Sequence, residues 1–251
     1  MWWCGIGGTG AALERFGGDA EAALRRQHVF AANRPSGESM LIDTTTLVAL
    51  ISSRICHDLV SPVAALTTAL DILNDDHGAD MREQAMELIR TSAGQAGVKL
   101  EFMRATFGAG TIGVGEADLG DLAALSQRFF ATQKPELVWN LALTTVPRAA
   151  ARLLMNLLLV GLDCLPRGGV LEVSGNQEGE RLTLSVCASG TRASLKPAVR
   201  AALAGQLPEG GFDGRSIQPY LAYLTASGCR AELAARESEE RVEIIVRLTA
   251  S

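Results

Sequence analysis

Residues 51–66 read ISSRICHDLVSPVAAL, a helix-forming run that carries one histidine, His57, an acid directly after it, Asp58, and a helix breaker, Pro62. Apolar residues recur around it at helical spacing, at Leu47, Ile51, Ile55, Leu59, Leu66, Leu70 and Leu73, so the pattern predicts one amphipathic helix from 43 to about 74. Asp43 or a following threonine suits its N-cap, and NDDHG at 74–78 is a turn-like exit. At about 100° per residue the His57 ring lies about 200° from Ile55 and Leu59, away from the apolar stripe and toward solvent. Pro62 offers no N–H to the carbonyl of Asp58, a defect that costs about 3 kcal/mol in an ordinary helix interior. A defect one turn beyond an exposed histidine calls for a reason.

Outward from this stretch, a second helix is expected from about 80 to 107, with Met81, Ala85, Leu88, Ile89, Ala96, Leu100 and Met103 as its apolar stripe. Two such helices joined by a short turn make an antiparallel hairpin. A lone hairpin leaves part of its stripe uncovered, so it needs the other domain or a second copy, and a homodimeric four-helix bundle is the expected solution. The segment FGAGTIGVGEAD at 107–118 holds four glycines and reads as a linker. Beyond it the period changes. Helices are expected near 119–131, 147–165, 194–204 and 216–227, and strands at 136–143, 170–175, 181–188, 229–235 and 241–248. The fold class is therefore α+β: a hairpin domain over 40–110 and an α/β sandwich over 111–251. Residues 1–39 are glycine-rich with one short helical candidate, from 19 to 30, and read as a disordered extension. Periodicity begins at Met40, an expected alternative start.

The 251 residues, 47% of them hydrophobic, are enough to bury a substantial core. A net charge of -5 with no long basic block argues against nucleic acid as a partner. The five cysteines (Cys4, Cys56, Cys164, Cys187, Cys229) are scattered, with no CxxC pair, so neither a disulfide framework nor a zinc site is indicated. They fit a reducing cytoplasm. No unbroken apolar run reaches the roughly 18 to 20 residues of a bilayer span, and no membrane association is expected. His28, in the extension, and His77, in the turn, read as solvated surface residues.

Exposed helical histidines are in general inert, and three neighbours set His57 apart. Pro62 is one. Asp58 can engage a ring proton and orient an imidazole nucleophile, although a solvated helix carboxylate would look the same. Arg54, one turn before, is placed to meet anionic oxygens on an incoming phosphoryl group, or is an ordinary surface cation. A Ser-His-Asp triad fits poorly, because adjacent helix positions diverge by about 100°. Around the His57 face stand small or modest side chains, Ser53, Val60, Ser61, Ala64 and Thr68, which leave room for another protein to dock.

CHDLVSPV resembles the H-box of dimerising histidine-kinase domains, usually H-E/D-L-x-T/S-P. The resemblance implies phosphoacceptor for His57 and assisting acid for Asp58. RLLMNLLLVGLDCLPRGG at 152–169 is similar to the kinase N-box, with Asn156 at the first asparagine but Val160 where the magnesium-binding asparagine would stand. LSVCASGTRA at 184–193 is similar to the strand and turn V-x-V-x-D-x-G-x-G, with Ala188 in place of the adenine-binding Asp and Arg192 in place of a glycine. Valine offers magnesium no oxygen and alanine offers adenine no acceptor. An H-box hairpin followed by a degenerate ATPase-like domain resembles the ChpT-type histidine phosphotransferases over about 40–248. That resemblance implies a dimeric relay without a cofactor of its own. It would take a phosphoryl group from the receiver of a hybrid histidine kinase (CckA-like) and pass it to response regulators (CtrA-like and CpdR-like), with magnesium supplied by the partner receiver. Two other readings remain: an ATP-dependent histidine kinase with a working second domain, and a non-catalytic dimeric scaffold that sequesters response regulators. A phosphatase role for Ser61, where some kinases orient water, is a minor addition.

Overall fold

A computed structural model describes residues 30–32, 42–75, 78–108 and 115–249. Helix α1 (Thr44–Asn74) starts where expected: the Asp43 carboxylate accepts the Thr46 backbone N–H at 3.0 Å, satisfying one of the donors that a helix start leaves free. Helix α2 (Ala79–Phe107) runs back along α1 and completes the hairpin. His28 and His77 lie outside the described residues, as does most of the expected 19–30 helix.

After the hairpin come β2 (Glu116–Asp118), α3 (Leu119–Phe130), β3 (Glu136–Leu141), β4 (Thr145–Pro147) and α4 (Arg148–Asp163). The chain ends in the hairpin β5 (Val170–Glu178) and β6 (Arg181–Ser189), helices α5 (Pro197–Leu203) and α6 (Ile217–Gly228), and the hairpin β7 (Glu232–Ser238) and β8 (Arg241–Thr249). With β1 (Phe30–Ala32), the main sheet has the order β1-β7-β8-β6-β5-β3. Its pairs are antiparallel except β3–β5, which the α4 crossover makes parallel. Strand alternation sends Leu171, Val173, Leu184, Val186, Ile244 and Val246 into the core. The opposite face is polar, with Asn140 bonded to Glu172 and Ser185 to Glu243. Helix α4 is apolar almost all round and buried from Leu153 to Gly161, between the sheet, α2 and α6. Gly161 permits that depth, since a Cβ there would meet Leu171 at 2.5 Å.

Three departures from the sequence expectations have physical causes. The stretch read wholly as a linker contains β2, which pairs with β4, and its Asp118 caps α3 by accepting from the Asp121 N–H at 3.0 Å. Residues 30–32, placed in the loose extension, form the outer strand β1, whose backbone covers an edge of β7 that would otherwise offer unpaired N–H and C=O groups. Lastly, α1 is by length and composition long and apolar enough to cross a membrane, with an 18-residue window of mean hydropathy 1.3. His57, Asp58 and Pro62 break its apolar run but not its average. Only its N-terminal part is covered within the chain, where Leu47, Leu50 and Ile51 pack against Ile217, Tyr220 and Tyr223 of α6, while Val60, Val63 and Leu70 stay exposed.

The hairpin and the sandwich share one core. Phe102 and Met103 of α2 belong to the same cluster as Phe129, Leu154 and Leu158, and the Phe102 and Phe129 rings stack at 4.1 Å. A chain shortened to begin at Met40 lacks β1 but keeps this core. Its melting temperature is expected to fall by only a few degrees, about 1 kcal/mol, while amide exchange at residues 233–235 of β7 quickens. A drop of about ten degrees or more would show that residues 1–39 are integral to the fold.

Candidate functional site

The site is built from α1 outward. His57 stands on the solvent side of the helix with 85% of its side chain exposed, and its Nδ1 lies 3.2 Å from Asp58 Oδ1. A carboxylate oxygen can only accept, so this contact places a proton on Nδ1 and leaves the Nε2 lone pair outside it. Ser53, Val60, Ser61, Ala64 and Thr68 are all exposed on the same helical face. Together they form an exposed surface of small side chains around the ring.

Arg54 is not part of that surface. Its side chain is only 11% exposed, and its guanidinium turns away from the open face. Nε donates to Asp58 Oδ2 at 3.1 Å, while one terminal nitrogen donates to Asp163 Oδ2 at 3.1 Å and to the Gly214 carbonyl at 3.3 Å. Burial alone would lower its pKa, but the charges and hydrogen bonds of Asp163 and Asp58 outweigh that and raise it. The expectation that Arg54 meets a phosphoryl group therefore gives way to a different role: it fastens Asp58.

Pro62 finds its explanation in the same place. The Asp58 carbonyl, deprived of the N–H at position 62, accepts from Lys99 Nζ of α2 at 3.1 Å. A charged donor from the neighbouring helix thus takes over a helix-interior hydrogen bond. Asp58 is held at its carboxylate by Arg54 and at its backbone by Lys99. Sequence reasoning missed Lys99, Asp163 and Gly214. Two signals pointed toward the first two: Pro62 left a carbonyl that needed a donor, and Asp163 is a carboxylate on the last residue of a helix, where the macrodipole disfavours negative charge.

The second domain does not offer a nucleotide site at the positions where the kinase pattern would place it. Val160 and Ala188 are buried, at 0% and 1% exposure, and present only carbon. Arg192 is exposed with φ of 63°, in the left-handed region that the pattern's glycine would occupy without strain. The two turns of the would-be site close on each other: a Cβ on Gly169 would lie 2.4 Å from the Ser189 carbonyl oxygen, and one on Gly190 would lie 2.8 Å from that of Gly168. Asn156 is fully buried and spent on structure: its amide nitrogen donates to the carbonyls of Arg152 and Thr106, and its oxygen accepts from Gln218 at 2.7 Å. These residues do not fit ATP and magnesium. Among the described residues no cluster of three or more His, Cys, Asp or Glu side chains is placed to hold a metal.

Residues 119–241 match the family model described as the histidine phosphotransferase C-terminal domain. The protein phosphotransferase ChpT of Brucella abortus (strain 2308) is 37% identical over 199 residues, which span 78% of this chain and 92% of the relative. A solved bacterial phosphotransferase superposes with a TM-score of 0.72 at 32% identity, covering 82% of this chain and 97% of that one. With more than a third of its residues identical to those of the Brucella relative across most of both lengths, the chain belongs to the ChpT-type histidine phosphotransferases.

Proposed function

We propose that His57 accepts a phosphoryl group from the receiver domain of a hybrid histidine kinase (CckA-like) and passes it to the receiver domains of response regulators (CtrA-like and CpdR-like). One observation carries this reading: a ring 85% exposed whose Nδ1 is engaged by Asp58 at 3.2 Å, leaving Nε2 as the reactive nitrogen. In the accepting direction the Nε2 lone pair attacks phosphorus of a receiver aspartyl phosphate. The N–P bond forms, the P–O bond to the aspartate breaks, and the electron pair leaves on the receiver carboxylate. Positive charge then builds on the imidazole. The proton on Nδ1 stays on the ring against Asp58, whose negative charge offsets it. Donation to the next receiver reverses the step, with the ring as leaving group. Magnesium comes with the receiver, so this chain needs only an oriented ring and a docking face.

The test is to mix the full chain with a labelled, phosphorylated receiver. Label should move to this chain in an acid-labile, base-stable form, as a phosphoramidate requires. Labelling from ATP and magnesium alone would instead establish an autokinase, and no labelling from any receiver would favour a scaffold that sequesters regulators. The phosphatase reading for Ser61 rests on its place in the H-box pattern, and its exposure on the His57 face is consistent with it.

The working unit in this reading is a homodimer. Val63 and Leu70 of α1 and Leu88 and Leu100 of α2 remain 37–56% exposed in the single chain, an apolar surface that a second hairpin covers. Leu100→Glu is expected to weaken self-association by at least about tenfold, whereas Thr68→Glu, on the docking face, leaves it intact. Light scattering at micromolar concentration reads both. A wild-type chain that stays monomeric there ends the dimer reading.

A further inference from the structure

The second domain has lost the groups that nucleotide chemistry needs, yet it reaches back to the phosphoacceptor. We propose that Asp163 and Arg54 are positioning residues for phosphotransfer: Asp163, from the second domain, holds Arg54, Arg54 holds the Asp58 carboxylate, and Asp58 sets the orientation and tautomer of His57. This rests on the reading of His57 as the phosphoacceptor.

The geometry is an unbroken chain of contacts. Asp163 Oδ2 meets an Arg54 terminal nitrogen at 3.1 Å, Arg54 Nε meets Asp58 Oδ2 at 3.1 Å, and Asp58 Oδ1 meets His57 Nδ1 at 3.2 Å. The two Asp58 oxygens therefore do different work. With Oδ2 pinned by Arg54, rotation of the carboxylate is blocked and Oδ1 stays against the ring. The Gly214 carbonyl, also from the second domain, gives Arg54 a third anchor, and Lys99 fixes the Asp58 backbone from α2. Asp58 is thus held by Arg54 on its own helix, by Lys99 on the partner helix of the hairpin and, through Arg54, by Asp163 at the end of α4.

The location of Asp163 argues that the contact is more than incidental. It is the last residue of α4, whose final turn carries no basic residue, so its carboxylate faces the negative end of the helix dipole without help from its own helix. Arg54, from 109 positions earlier in the chain, supplies the compensating charge. Exposure falls along the chain of contacts from 85% at His57 to 20% at Asp58 and 11% at Arg54, and rises again to 32% at Asp163. The screened middle is where a charged hydrogen bond transmits orientation best. A domain that presents no nucleotide ligand thereby keeps a part in the reaction, since it braces the acid beside the phosphoacceptor.

The experiment uses the full-length protein as wild type and as Asp163→Asn, Asp163→Glu and Arg54→Gln. Two quantities are read: the initial rate of label transfer from a phosphorylated receiver, and the His57 tautomer from its ¹⁵N imidazole shifts. Asp163→Asn is expected to slow transfer about tenfold and to move His57 from the Nδ1–H toward the Nε2–H tautomer that an unrestrained imidazole favours, with little change in melting temperature. Asp163→Glu, which keeps the charge, should recover part of both. Arg54→Gln should reproduce the tautomer change, and Asp163→Asn serves in its place if that variant folds poorly. Wild-type rate and tautomer in Asp163→Asn overturn the proposal, as does a slower rate with an unchanged tautomer, which would make Asp163 only a strut between domains. If the wild-type chain takes no label while the tautomer still responds to Asp163, the positioning network stands and the phosphoacceptor reading fails.

Discussion

His57→Ala is expected to reduce phosphoryl transfer from a receiver by at least about 100-fold, because no other side chain on the docking face supplies a nitrogen nucleophile. The remaining exposed residues there are two serines, a threonine, a valine and an alanine. The variant should melt within about a degree of wild type, since His57 is 85% exposed and alanine is the better helix former. Both readings matter together. A loss of transfer with a collapse in stability would speak only of folding. Persistent labelling of the folded variant would move the phosphoacceptor to another residue, and labelling of wild type by ATP alone would restore the second domain as a kinase.

The largest stability effect is expected inside that domain. Asn156→Ala removes three hydrogen bonds at a fully buried position, strands the Gln218 amide nitrogen and leaves the Thr106 carbonyl with Arg152 Nε at 3.3 Å. Gln218 is poorly placed to absorb the change, because its own Oε1 is buried with no hydrogen-bond partner. The cost should be about 3 kcal/mol, on the order of 10 °C in melting temperature for a chain of this size. Pairing Asn156→Leu with Gln218→Met, so that both polar partners leave together, should cost less than the sum of the single changes. A calorimetric melt of Asn156→Ala within a degree or two of wild type would show that water substitutes for these bonds. Unchanged stability with lost transfer would mean that this asparagine has kept a role in the chemistry.

The hairpin, the order of the longer elements and the outward position of His57 were legible because long helices and five-residue or longer strands repeat their apolar residues often enough to reveal a period. Three-residue β1, β2 and β4 have no room for a period, and only their partners define them. Arg54 was legible as a cation beside the histidine but not in its destination, since Asp163 lies 109 positions away and no local pattern connects them. Lys99 was hidden among the polar residues of α2, although Pro62 had already announced a carbonyl in need of a donor. The departures of Val160, Ala188 and Arg192 from the kinase pattern were readable one residue at a time. That Asn156 is a core fastener was not, because an asparagine can serve either purpose.

The stacked pair Phe102 and Phe129, which joins hairpin and sandwich in one core, bears on how the protein can move. A kinase that phosphorylates its own histidine has to bring a bound nucleotide to it, and such a machine depends on a joint that swings. In the proposed reaction the phosphoryl donor arrives on another molecule, so travel inside the chain serves no step of it. An aromatic seam where a joint would otherwise lie suits the proposed reaction as a fixed quay suits its traffic: the ring has no internal stroke to make, and selection can act on the shape of the berth alone.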